Sequence, residues 1–378
     1  MKRLAFALAL MLAIPGAAAA APGKPPVLEP ISAASAILIE AGSGRVLYEH
    51  NAREKRPMAS TTKMMTALIA TELSRPEDVV TISPDCVKIE GASLYLEENE
   101  QLTMADLLYG MLLRSGNDGA AAIAKHVAGD IGHFVSLMNQ RAWSLGMADT
   151  RFGNPHGLDV SGHYSTAYDM ARLGAAFLKV PLLKQICTTE EYISRELTGG
   201  RLRIFKNNNK LLIRDPRACG IKIGWTEQAG RCLVAAARVG EMELVAVVLA
   251  APDLYTDASK LLDYGFAGLK MQELVPKGKV MAILPVSQGS AGRVAAVTAQ
   301  PVCYPVFAGE TLYFTAQIQV PPEVKAPIKS GQAIGSALVT VDPGWIQEVK
   351  LVAVSEVKEK KGLVIRFLEL VRALWHDK

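Results

Sequence analysis

At 378 residues, half of them apolar and about a fifth charged, the chain can build one large core plus a smaller domain, which excludes a disordered protein. Its net charge of +4 comes from 41 Lys and Arg scattered among 37 Asp and Glu, and no dense basic stripe points to a nucleic-acid partner. Five widely spaced cysteines (Cys86, Cys187, Cys219, Cys232, Cys303) read as buried thiols rather than staples, and six histidines without an H-E-x-x-H or H-x-H pair give no argument for a metal or other cofactor.

In chain order, Lys2 and Arg3 precede an apolar run from Leu4 to Ile14, a Pro15-Gly16 break and small residues Ala17 to Ala21. That pattern is a secretory signal peptide, too short to span a bilayer as a helix. Pro22 to Pro30 follows as an extended linker. Ala36–Ile39 and Arg45–Tyr48 flank Ala41-Gly42-Ser43-Gly44, the pattern of a hairpin. Apolar residues at three- and four-residue spacing predict helices over Ser60–Leu73, Met104–Leu113, Asn117–Val127 and Tyr168–Leu178, with a break at Ser115-Gly116. Strands are expected at Gly220–Trp225, Leu233–Arg238 and Leu244–Leu249, then a closing helix over Asp257–Phe266. Strands at both ends with helices between them describe an α+β domain whose last strands return to the N-terminal hairpin.

From Val275 to about Val354, short Val, Ile and Leu runs alternate with Pro and Gly turns, so a small all-β module begins near Leu274–Gly278. A charged break, Lys358-Glu359-Lys360-Lys361-Gly362, leads to Leu363–Trp375. There Phe367, Leu370, Val371 and Leu374 share a broad apolar face opposite Arg366, Glu369 and Arg372. A helix of that kind suits a membrane surface better than a membrane span.

Ser60-Thr61-Thr62-Lys63 is the segment with the strongest chemical content. A serine hydroxyl needs a base, and a lysine three residues on along a helix can reach it. Lys63 serves only if it is partly neutral, which burial and a second nearby cation would bring about. Ser355-Glu356-Val357-Lys358 has the same letters but sits in a charged linker. Two further pieces follow in order: Ser115-Gly116-Asn117 at a break between helices, and Lys222-Ile223-Gly224 on a strand, where glycine allows close approach of a substrate backbone. The ordered set S-x-x-K, S-x-N, K-x-G matches the signature of penicillin-binding proteins and serine β-lactamases.

With these motifs the chain closely resembles the low-molecular-weight penicillin-binding proteins, the serine D-alanyl-D-alanine carboxypeptidases of peptidase family S11 type. The similarity extends through Pro57–Leu68, Ser115–Ala120, Phe152–Asp159, His163–Met170 and Trp225–Gly230. It implies a β-lactamase/transpeptidase-like catalytic domain over 22–273, after a signal peptide over 1–21. A β-rich domain over 274–356 and a basic spacer with an amphipathic, membrane-associating helix over 357–378 complete the expected layout. It implies that Ser60 attacks the penultimate D-Ala carbonyl with Lys63 as base, while Ser115 relays a proton to the leaving D-Ala. Asn117 would hold the substrate amide, and Lys222 would keep Lys63 neutral and attract the substrate carboxylate. Gly224, Trp225 and Thr226 would complete the substrate-binding strand, with the N–H groups of Ser60 and Trp225 as the oxyanion hole. Peptidoglycan stem peptides are the implied substrate, β-lactams the implied inhibitors, and the outer face of the cytoplasmic membrane the implied place of work.

Ile223 departs from the family pattern, which has a threonine or serine there whose hydroxyl binds the substrate's terminal carboxylate. An arginine often found near Leu254–Asp257 is also missing. Lys329-Ser330-Gly331 has the expected letters but follows Pro327 in a turn of the β module. The Ile223 departure motivates a second reading, a binding or scaffolding protein with weak turnover. A third reading, β-lactamase, lacks an identifiable deacylating base.

Overall fold

In the computed structural model, which describes residues 10–12, 27–341 and 345–360, strand Ser35–Glu40 is buried along its whole length and turns back through Val46–His50. The other three strands of this antiparallel sheet arrive some 180 residues later, about half the chain length. Their order is Val46–His50, Ser35–Glu40, Met242–Leu249, Gly230–Val239, Ala218–Thr226, with Val245 opposite Ile39. The closing strands therefore pair with the N-terminal hairpin as expected, and Ala218–Thr226 is left as an edge.

Both faces of the sheet are covered by helices, which explains its unbroken apolar runs. A Cβ on Gly174 of helix Ala167–Leu178 would touch Val245, whereas one on Gly265 of helix Leu254–Gly268 would touch Leu244. Adjacent strand residues point to opposite faces, so these two helices lie on opposite sides. Helix Lys63–Leu73 is buried from Lys63 through Ala70 and packs among Met104–Arg114, Asn117–Ala128 and Ile131–Ser144. Thr103 and Asp106 form a reciprocal capping box at the start of the second of these. Helices Ile131–Ser144 and Pro181–Thr188 and the hairpin Glu191–Arg195/Leu202–Lys206 were not among the sequence expectations.

These elements form one compact unit, Pro26–Gly268, and strand Leu269–Val275 begins the second. Its described residues form strands and turns only: a seven-stranded sheet, with Leu10–Leu12 pairing at one edge against Phe314–Gln319, and the pair Leu269–Val275/Val302–Phe307. Ala316, Ile318, Ala337, Val339 and Leu351 fill its core. The α+β domain followed by an all-β domain is thus as read from the sequence. Among the described residues no helix is long and apolar enough to cross a membrane, and the amphipathic stretch Leu363–Trp375 lies outside them.

Candidate active site

The segment entering the central helix is tighter than an α-helix. Ala59 takes a left-handed φ of 48°, Ala59–Thr62 form a 3-10 turn, and regular helix starts only at Lys63. A non-glycine residue in that region is strained by about 1–3 kcal/mol, and here the elbow turns Ser60 into a cleft. The helix expected over Ser60–Leu73 is present, with its first turn wound as 3-10.

Lys63 is 0% exposed, and its Nζ donates to three oxygens: Ser60 Oγ at 2.9 Å, Asn117 Oδ1 at 2.7 Å and the His156 carbonyl at 2.6 Å. Burial pushes its pKa well below the ordinary 10.5, the charge of Lys222 adds to this, and Asp118 opposes it. The latter two acceptors cannot donate. Once Lys63 is neutral they take its two N–H bonds, and the lone pair is left facing the Ser60 hydroxyl.

Asn117, first residue of its helix, is held on both sides: its Nδ2 donates to Glu90 O at 2.5 Å, and its backbone N–H donates to Ala92 O. The Glu90 segment is pinned by Asp118, buried, whose carboxylate accepts from Ser93 Oγ and the N–H groups of Leu94, Leu96 and Gly119. Ser115 caps the preceding helix with a left-handed φ of 66° and lines the cleft beside Ser60 and Asn117. The three hydrogen bonds of Lys63 do not include Ser115.

On the edge strand, Lys222 is 2% exposed, and its Nζ donates to Ile223 O at 3.2 Å. Burial lowers its pKa to about 7. When protonated, it is the neighbouring cation whose charge lowers the Lys63 pKa. Gly224 has a close neighbour within the protein as well: a Cβ there would lie 2.7 Å from Ser60 N and 3.1 Å from Thr61 N. Glycine at 224 thus lets the strand meet the backbone of the nucleophile segment itself. Gly157, at φ +94°, does the same from another loop, where a Cβ would lie 2.0 Å from Ala59 O. Trp225 is 63% exposed on the cleft wall, and Thr226 Oγ1 donates to Asp159 Oδ1 at 2.9 Å while accepting from Ala229 N.

Two histidines escaped the sequence reading as site components. His163 Nδ1 accepts from Gly153 N at 2.9 Å, so its Nε2 carries the proton and donates to Thr62 Oγ1 at 3.0 Å. His156 contributes its carbonyl to Lys63. Burial lowers the pKa of His156 to about 3, aided by the Lys63 charge, and that of His163 to about 4, so both rings stay neutral. The cleft has a volume of about 1140 Å³ and brings together Ser60, Ser115, Asn117, Gly224, Trp225 and Thr226, with Lys63 and Lys222 behind its wall. Lys329-Ser330-Gly331 sits in a turn of the β unit, where Ser330 Oγ donates to Val354 O.

The family model described as D-alanyl-D-alanine carboxypeptidase matches residues 19–253, and that of the penicillin-binding protein 5 C-terminal domain matches residues 269–359. D-alanyl-D-alanine carboxypeptidase DacF of Bacillus subtilis is 33% identical over 91% of this chain and 90% of its own. DacA of Escherichia coli is likewise 33% identical, over 99% of this chain and 97% of its own. Among solved structures, penicillin binding protein 5 from Haemophilus influenzae superposes with a TM-score of 0.66 at 29% identity, covering 88% of this chain and 100% of that one. The chain belongs to the D-alanyl-D-alanine carboxypeptidase family of serine hydrolases.

Proposed function

We propose that this chain removes the terminal D-Ala from peptidoglycan stem peptides through an acyl-enzyme on Ser60. The observation that carries the reading is the Lys63 amine, buried and hydrogen-bonded to Ser60 Oγ, with its other partners able only to accept. Lys63 takes the Ser60 proton as Oγ attacks the carbonyl of the penultimate D-Ala. The N–H groups of Ser60 and Trp225 hold the oxyanion. The C–N bond breaks as the proton passes through Ser115 to the leaving amine, and free D-Ala departs. Water, activated by Lys63, then cleaves the Ser60 ester. Asn117 positions both Lys63 and the substrate amide, and Lys222 keeps Lys63 neutral. β-Lactams acylate the same oxygen. Nothing favours a scaffold without turnover, since Ile223 alters one contact and none of those around Lys63.

The compartment belongs to the same reading. Residues 1–21 have the pattern of an export signal, the substrate lies in the cell envelope, and Leu363–Trp375 suits attachment to the membrane surface. Release of D-Ala from a stem pentapeptide, assayed with wild type and Ser60→Ala, tests the activity. The wild type is expected to release D-Ala and the variant none; equal release by both sinks the mechanism.

A further inference from the structure

Charges of both signs line the cleft, but among the described residues one lining group is a permanent cation, Arg231. Glu90, Asp159 and Glu227 are carboxylates, and the His156 ring is neutral. Lys222, at 2% exposure, sits behind the wall with its Nζ on Ile223 O.

Arg231 stands in strand Gly230–Val239 directly opposite Trp225 of the edge strand. Partners in register project on the same face, and Ile223, two residues before Trp225, shares that face. Arg231 is therefore the diagonal neighbour of Ile223. One guanidinium N–H is anchored on Pro252 O at 3.2 Å, just before Leu254, which also lines the cleft. Its charge is felt by Asp253, but it forms no salt bridge among the described residues. Its remaining N–H groups can meet an acceptor entering from the cleft.

We propose that Arg231 receives the carboxylate of the substrate's terminal D-Ala, at the place where Ile223 offers no hydroxyl. The assignment rests on the carboxypeptidase reading. A substrate laid along the edge strand with its reacting carbonyl at Ser60 and Gly224 carries its carboxylate one residue further, about 3.3 Å along an extended chain. From Gly224 that distance reaches the neighbourhood of Ile223 and Trp225, which Arg231 flanks. A guanidinium fork suits a carboxylate with two parallel hydrogen bonds, an arrangement that the single ammonium of a lysine does not reproduce.

The test compares wild type, Arg231→Gln and Arg231→Lys on a stem pentapeptide and on the same peptide with its terminal carboxylate converted to an amide. Arg231→Gln is expected to lower kcat/KM on the free acid roughly 10- to 100-fold, the loss of hydrogen bonds to a charged group, and to leave the amide nearly unaffected. Arg231→Lys should fall between the two. Thermal melts establish that the variants are folded. Equal losses on both peptides, or no loss on either, overturn the assignment while leaving the carboxypeptidase reading intact. Failure of the wild type to release D-Ala overturns the reading on which it rests.

Discussion

Replacing Lys222 by Met separates two effects of the same buried ammonium, its cost to folding and its service to Lys63. Burial lowers the Lys222 pKa from 10.5 to about 7, a difference worth on the order of 5 kcal/mol against the native state. Below pH 7 both native and unfolded chains hold the proton, and the native state bears the full cost. Between pH 7 and 10.5 the unfolded chain keeps a proton that the native state has released, so stability rises with pH; above 10.5 the cost is gone. Met keeps the length of the side chain without the charge, and the lost hydrogen bond to Ile223 O takes back about 1 kcal/mol. Lys222→Met should therefore be more stable than wild type by roughly 4 kcal/mol at pH 6, with the difference closing between pH 7 and 10.5. Urea titrations across that range measure it. The same variant should lose activity, and the acid limb of its kcat/KM profile should move to higher pH, because Lys63 loses a neighbouring positive charge. Burial, the larger cause, remains, so the limb should stop short of 10.5. A variant less stable than wild type at pH 6, or one with an unmoved limb, refutes the reasoning.

Gly157→Ala forces a side chain into a left-handed backbone and against Ala59 O. It should cost roughly 3–5 kcal/mol in denaturant titrations and slow penicillin acylation of Ser60; wild-type values for both would show that the packing is not so tight. Asp118→Asn removes the charge from a carboxylate that holds the Ser93–Leu96 loop. A loss of roughly 2–4 kcal/mol and a raised KM are expected, while a change in kcat alone would contradict a loop-holding role. Ile223→Thr should raise kcat/KM for D-Ala release by up to about 10-fold by restoring a hydroxyl beside the carboxylate site, and an unchanged value would show that the place is already filled.

Much of the site was legible because its central relation is local. Ser60 and Lys63 are three residues apart, and even with a 3-10 turn in place of regular helix Lys63 comes back to Ser60 Oγ. Lys222, 159 residues further on, acts on Lys63 through its charge, an influence that the motif spacing alone could only suggest. What stayed hidden depends on the backbone or on distant pairing. The third partner of Lys63 is a carbonyl, that of His156, and a carbonyl has no side-chain signature. Arg231 acquires its place only through the register that sets it opposite Trp225. Gly224 also leaves room for the backbone of the nucleophile segment, a second close approach that has no signature in the sequence. Helix Ile131–Ser144 buries only Phe134, Met138 and Ala142, and this narrow stripe among polar residues left a faint period despite the Asp130 cap. The cap at Asp130, with His133 donating its N–H, was the signal available.

The most direct test of the central claim is intact-protein and peptide mass spectrometry after brief exposure to benzylpenicillin, with Ser60→Ala and Lys63→Ala alongside. A single penicilloyl adduct on the Ser60 peptide is expected in the wild type, none in Ser60→Ala, and one formed at least about 100-fold more slowly in Lys63→Ala. An adduct on another residue, or undiminished acylation without Lys63, would contradict the assignment of Ser60 as nucleophile and Lys63 as its base.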